Sequence, residues 1–271
     1  MQALLNHPAV QGGLAPFVVA LITAELLQRL RLSGLSILAG FAITVYLVSD
    51  FSISPLTTTH KIIWLGMASS LLGIGLGFFN GWVWRPVLTV AAAGAAIWVN
   101  LRILQHQPLG IAMQWGIGGA LYLAWLIFWM DDLADDPVRA SSAGVALGLG
   151  SGAAMLFGGS ALLGQFGLSL GAAASAYLLI QMISNSRLPC GRSFTLPLSL
   201  VSGLCASFAV LATRLPWYAL LPLAAIPLVA KIPVPGKQPL WVQLLLLTLA
   251  TLLCAVGAVY LTWRVAGMPP F

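Results

Sequence analysis

The sequence predicts an all-α fold, a polytopic transmembrane helical bundle of about ten spans. Of the 271 residues, 60% are hydrophobic and 7% are charged, against about 25% charged in soluble domains. Apolar runs close to the ~20 residues that a spanning helix needs recur from one end to the other. The alternating polar and apolar residues of a membrane barrel are absent. A single core cannot bury this much apolar surface, so the lipid bilayer is the first partner the chain implies.

The runs fall at 14–30, 32–49, 62–79, 86–104, 108–130, 143–163, 165–184, 194–213, 216–230 and 239–263. Met1 to Gly13 carries no Lys or Arg and no small-residue cleavage site follows, so the first run is expected to stay as a helix. Its last turns hold Glu25, Gln28 and Arg29, long enough to snorkel into the headgroups. The sixth and seventh runs are divided only by Gly164-Gln165, which reads as a tight hairpin or a re-entrant turn. They are dense in Gly, Ala and Ser, so they belong where neighbours pack closely. The ninth run is short, opens on Pro216 and contains Pro222 and Pro227. Prolines there free backbone carbonyls, which is tolerated only where protein or a water-filled cavity covers them.

The links are short, and no polar stretch is long enough for a separate soluble domain. Residues 1–130 form a first membrane half and 143–271 a second. Between them, 131–142 is an acidic cytoplasmic hinge holding four of the six acidic residues. The halves carry a faint repeat. Gly34-Leu35-Ser36-Ile37 matches Gly167-Leu168-Ser169-Leu170, Trp84 matches Trp217, and Gln107-Pro108-Leu109 matches Gln238-Pro239-Leu240, at offsets of 133, 133 and 131. Tyr122-Leu123-Ala124-Trp125 and Tyr260-Leu261-Thr262-Trp263 disagree, at 138. Five spans per half is odd, so a duplication would make an inverted repeat, a plan common among secondary transporters. In layout it resembles the drug/metabolite transporter superfamily, a likeness of plan that no residue motif carries.

Basic residues set the orientation. With both termini on the outer side, the inner side collects Arg29, Arg31, Arg85, Arg139, Arg187, Arg192, Lys231 and Lys237 against Lys61, Arg102, Arg214 and Arg264 outside. The location expected is a cell inner membrane. The net charge of +6 comes from single residues flanking apolar runs. Topology and lipid headgroups account for it, and no nucleic acid is implied.

Few groups here carry chemistry. Asp131-Asp132-x-x-Asp135-Asp136 has the spacing of a magnesium–diphosphate site. It resembles the aspartate-rich motif of membrane prenyltransferases, in which two such motifs face each other. Here only Glu25 and Asp50 remain for a second, so a solvated acidic loop is the expectation. His7, His60 and His106 lack any short spacing that would favour a metal. Cys190, Cys205 and Cys254 form no C-x-x-C pair and read as small buried hydrophobes. Gly148-Leu149-Gly150-Ser151-Gly152 lacks the Lys of a phosphate loop. Trp98, Trp115 and Trp125 lie deep in their spans, where they read as cavity-lining residues or, as the expected role, as packing against lipid. Neither metal nor cofactor is expected, and no enzymatic role.

What remains suits a small neutral ligand. Glu25 reads as a coupling carboxylate or as an interfacial partner of Arg29. Asn100, Gln114 and Gln181 are neutral polar groups within spans, and Pro222 and Pro227 break the ninth. These six are the candidate binding residues of a secondary carrier for a small neutral or weakly polar solute. The alternative is a non-catalytic integral subunit or assembly factor, docking other membrane proteins through Gly-rich helix faces.

Overall fold

Every described element of the computed structural model is a helix, and the described residues are 7–30, 32–49, 51, 56–77, 83–234 and 238–267. Among them ten helices follow the ten expected runs. They are α1 (Val10–Leu30), α2 (Ser33–Val48), α3 (Thr58–Gly77), α4 (Trp84–Leu104) and α5 (Leu109–Asp131), then α6 (Pro137–Phe157), α7 (Ala161–Ser184), α8 (Gly191–Ala212), α9 (Trp217–Val229) and α10 (Leu240–Ala266). Seven of these, all but α2, α3 and α9, are long and apolar enough to cross a membrane.

Local chemistry sets the boundaries. Pro137 opens α6, where its missing N–H would have had no helical partner, and the Asp136 carboxylate accepts from Val138 N and Arg139 N. Ser160 caps α7 by accepting from Leu163 N. The turn between α6 and α7 uses Gly159 at φ 95°, a conformation a side chain would strain. This corrects two expectations. The break falls at residues 158–160, with Gly164 and Gln165 inside α7, and α6 begins six residues before the expected 143. The hinge shrinks accordingly to 132–136. Hydropathy placed the sequence boundary where apolar residues begin, whereas the Asp136 cap and Pro137 start the helix in polar sequence.

Contacts at the ends show how the helices run. At one end Ser33 Oγ donates to Pro189 O, Arg192 Nη1 to Leu76 O and Arg139 Nη1 to Lys231 O. The α1–α2, α3–α4, α5–α6, α7–α8 and α9–α10 links therefore share that end, called here the acidic end. At the opposite end Gln11 Nε2 donates to Leu47 O, Lys61 Nζ to Trp98 O and Arg214 N to Gly158 O. Each helix is thus antiparallel to its neighbours in the chain.

The core lies on α6, α7 and α8, whose most apolar stretches are 78%, 67% and 83% buried, against 22–28% for α1, α4, α5 and α10. Small residues explain this. A Cβ on Gly148 would collide with the backbone of Gly171, and one on Gly152 with the backbone of Leu168, so α6 and α7 touch main chain to main chain. α10 lies along α6, with Thr251 Oγ1 donating to Ser142 O at 3.2 Å, and α1 and α2 lie along α7. α8 packs against α3 and α5.

Gly94, on α4, has open space where a Cβ would go. Replacing Gly148 with Ala is expected to destabilise the bundle by about 1–3 kcal/mol or more, because backbone has to move. Gly94→Ala should leave it unchanged. Thermal unfolding of the two variants in one detergent makes the comparison.

Candidate functional site

Two places gather polar chemistry, the acidic end and a cavity between α5, α8 and α9. At the acidic end Asp131, the last residue of α5, is buried. Its carboxylate takes the Arg192 guanidinium on both oxygens, Nε at 2.8 Å and Nη2 at 3.4 Å. Asp132 stands between two cations, with Arg85 Nη1 at 2.7 Å on one oxygen and Lys231 Nζ on the other. Arg85 also donates to Phe128 O at 3.0 Å and stacks over the Phe128 ring, and Lys231 sits over the Trp129 ring. Asp136 pairs with Arg139 within α6.

The expectation of a solvated acidic loop holds for Asp132 and Asp135, which are exposed, but not for Asp131, which is buried. Three of the four aspartates are engaged by cations, and the loop ties α3, α4, α5, α8 and the α9–α10 link together. The diphosphate spacing is therefore spent on structural ion pairs. Among the described residues no three His, Cys, Asp or Glu side chains come together to hold a metal. Partial burial opposes ionisation of Asp132, but the Lys231 hydrogen bond and the charges of Arg85 and Lys231 outweigh it, holding the carboxyl below its usual range. Burial pushes the Cys190 thiol up to about 12, so it stays protonated and donates to Ala134 O at 3.0 Å, joining the α7–α8 link to the loop.

The cavity has a volume of about 820 Å³, within the ~300–1,000 Å³ of small-molecule sites. Its walls are Gln114, Trp115, Gly118 and Tyr122 of α5, Ser207 and Leu211 of α8, and Trp217 and Ala224 of α9, with further Leu, Val, Ala and Gly side chains. No charged residue lines it. The space exists because α9 is too short. Its 13 helical residues reach about 20 Å, against a hydrocarbon core of about 30 Å. Pro227 has no N–H to give Leu223 O. One residue on, Ala224 O accepts from Trp125 Nε1 at 2.9 Å, pinning α9 to α5 beside the cavity.

The structure disperses the six sequence candidates. Gln114 lines the cavity, and its amide has no protein partner among the described residues. Pro227 shapes it from within α9, while Pro222 turns toward Gly257 of α10. Asn100 is buried in α4, donating to Ala96 O in its own helix. Gln181 is buried in α7, reaching Pro137 O at 3.4 Å. Glu25 is exposed on α1 and accepts from Gln28 Nε2 at 2.6 Å, in place of Arg29. Asn100 and Gln181 each keep a buried carbonyl oxygen without a partner, which makes them local packing features outside this cavity.

Ser207, Tyr122 and Trp217 were not foreseen as site residues. Trp115 and Trp125 line the cavity where packing on lipid was expected, while Trp98 carries Lys61 over its ring. The three histidines make separate local contacts, His7 with Ala9 N, His60 with Thr57 and His106 with Arg102 O. Asp50 lies outside the described residues. Comparison with protein-family models and with curated proteins finds no match to the chain.

Asp131→Asn leaves the Arg192 charge unpaired in a largely buried position, an expected loss of about 3–5 kcal/mol. Asp132→Asn breaks a pair that water reaches, with an expected loss of about 0–1 kcal/mol. Because the Asp132 carboxyl is depressed on folding, its contribution is full above about pH 4 and fades as pH falls further, through the folded value. Thermal unfolding at neutral and acid pH should therefore separate wild type from Asp132→Asn less as pH drops.

Proposed function

We propose that the chain is an integral protein of a cell inner membrane that carries a small neutral or weakly polar solute. The observation that carries this is the uncharged cavity between α5, α8 and the proline-broken α9. A site with no charge in its walls suits a neutral ligand, because an ion there would lose its hydration without a partner.

Two further features support a carrier. Corresponding helices of the two halves start at Val10 and Pro137, Ser33 and Ala161, Thr58 and Gly191, Trp84 and Trp217, and Leu109 and Leu240, offsets of 127, 128, 133, 133 and 131. α1 packs on α2 as α6 does on α7, and α4 on α5 as α9 does on α10. With five antiparallel helices each, such halves are inverted relative to one another. Their other contacts differ, since α10 lies along α6 whereas α5 does not lie along α1. Such a difference between related halves is what one state of an alternating-access carrier needs.

The acidic end, closed by the Asp131 and Asp132 pairs, also carries Arg29, Arg85, Arg139, Arg187, Arg192 and Lys231. That excess supports an inner, cytoplasmic placement with both termini outside. The role proposed is binding and translocation, with no enzymatic step.

The rival role, an integral subunit of a larger complex, is separated by the mass of the intact particle purified in mild detergent. A monomer or homodimer is the outcome expected of a carrier. A stoichiometric partner protein would overturn the free-standing carrier.

A further inference from the structure

The walls of the cavity are unequal along its length. Gln114 lies five residues into α5 and Ser207 five residues before the end of α8, so both sit about 8 Å in from the opposite end. Ser207 Oγ already donates to Leu204 O at 3.0 Å and keeps its lone pairs for a donor. Gln114 keeps two N–H groups and a carbonyl. Toward the acidic end the lining turns to Leu121, Tyr122, Trp125, Ala224 and Leu228, apolar apart from the Tyr122 hydroxyl, and Ala224 O is taken by the Trp125 indole. From Gln114 to Trp125 the α5 axis advances about 16 Å, so a neutral polar patch heads a long apolar slot parallel to the helices.

The slot also opens sideways. Leu121 and Leu221, both in its lining, are 65% and 61% exposed on the outside of the bundle. Leu121 stands twelve residues into the 23-residue α5, at the middle of the span. A mouth rimmed by leucines at mid-span depth faces hydrocarbon, where a water-soluble solute is scarce and a lipid-phase molecule is abundant.

We propose that the ligand enters this cavity from the bilayer and is an uncharged single-chain amphiphile, its hydroxyl-bearing head at Gln114 and Ser207 and its chain in the slot beside Trp125 and Leu228. A hydroxyl both donates and accepts, which matches the free groups of Gln114 with the free lone pairs of Ser207. A phosphate head is disfavoured, since no Lys or Arg lines the cavity. This ligand class deepens the carrier reading and rests on it only for the steps after binding.

The test uses the full chain in proteoliposomes containing a monoacylglycerol with a photoreactive diazirine in its acyl chain. Crosslinks are expected on α5 and α9 well above those on α1 and α10, which are more apolar than α5 and no more buried. Gly118 lines the cavity and has open space where a Cβ would go, so Gly118→Phe fills the slot without a backbone clash. It should abolish the excess on α5 and α9. Gln114→Leu, which removes about one hydrogen bond, should lower the excess roughly fivefold and leave the thermal midpoint unchanged.

Labelling that is even around the bundle and blind to Gly118→Phe would overturn the proposal. So would a Gly118→Cys variant modified rapidly by a membrane-impermeant maleimide and not protected by monoacylglycerol, because the cavity would then be watered from one face. A crosslink from that cysteine to a second protein would overturn it as well, the slot being a seat for a partner helix. Saturable crosslinking with no exchange of the probe between leaflets would keep the site and sink the carrier reading, so the two failures differ.

Discussion

Main-chain contact between α6 and α7 is the constraint on which the bundle depends. Hydrocarbon is as apolar as leucine, so burying leucine between helices brings little gain in a bilayer, and close packing has to supply the difference. Gly148, Gly152, Gly167 and Gly171 remove the side chains that would hold the two helices apart. The closely joined pair then offers two broad outer surfaces, one taken by α10 and the other by α1 and α2. Of the remaining helices, α3 and α5 reach the centre through α8, itself the most buried of the long apolar helices, while α4 lies along α5 and α9 packs on α10, α5 and α6. Tight packing at the centre and loose packing beyond α8 are one consequence of where the small residues lie.

Loose packing needs another restraint, and the acidic end provides it. Asp131 and Asp132 sit where α5 gives way to the turn before α6, and their partners come from α4, α8 and the α9–α10 link. The elements least secured by small-residue contact are thus fastened by charge at one end. At the opposite end backbone and single side-chain bonds do this work, such as Arg214 N to Gly158 O. The polar groups of the cavity, Gln114 and Ser207, lie toward the end opposite these ion pairs.

The sequence made the helices legible because hydropathy and span length report on lipid directly, and each apolar run became a helix. It also marked the crowded centre, since a run of Gly, Ala and Ser can only pack closely. Helix starts set by caps were harder to read, and α6 began in polar sequence for that reason. Part of the acidic loop was misread because its cations, Arg85, Arg192 and Lys231, are far away in the chain, and composition cannot show which residues meet. Asn100 and Gln181 illustrate the same limit. A polar side chain in a span marks a cost, but its own helix or a neighbouring carbonyl can take its N–H, as Ala96 O and Pro137 O do, and of the three amides Gln114 is the one that lines the cavity. Trp115 and Trp125 read as lipid-facing because an aromatic residue in a span has the same signature on a lipid face and on a cavity wall.

The cavity lies against the shortest described helix, since α4 has 21 residues and α9 has 13. α4 is long enough to reach across the hydrocarbon by itself, and its one internal amide, Asn100, closes back on Ala96 O. α9 falls short by about a third of that thickness, and Pro227 leaves it unable to complete its own ladder. Ala224 O accepts from the Trp125 indole on α5, which ties the short helix to α5 beside the gap that Tyr122, Ser207 and Gln114 border. A cavity at α4 would need the same loss of length and of a backbone donor, and Pro86, in the first turn of α4, removes neither. The cavity therefore sits beside a helix that is both short and missing a backbone donor at Pro227.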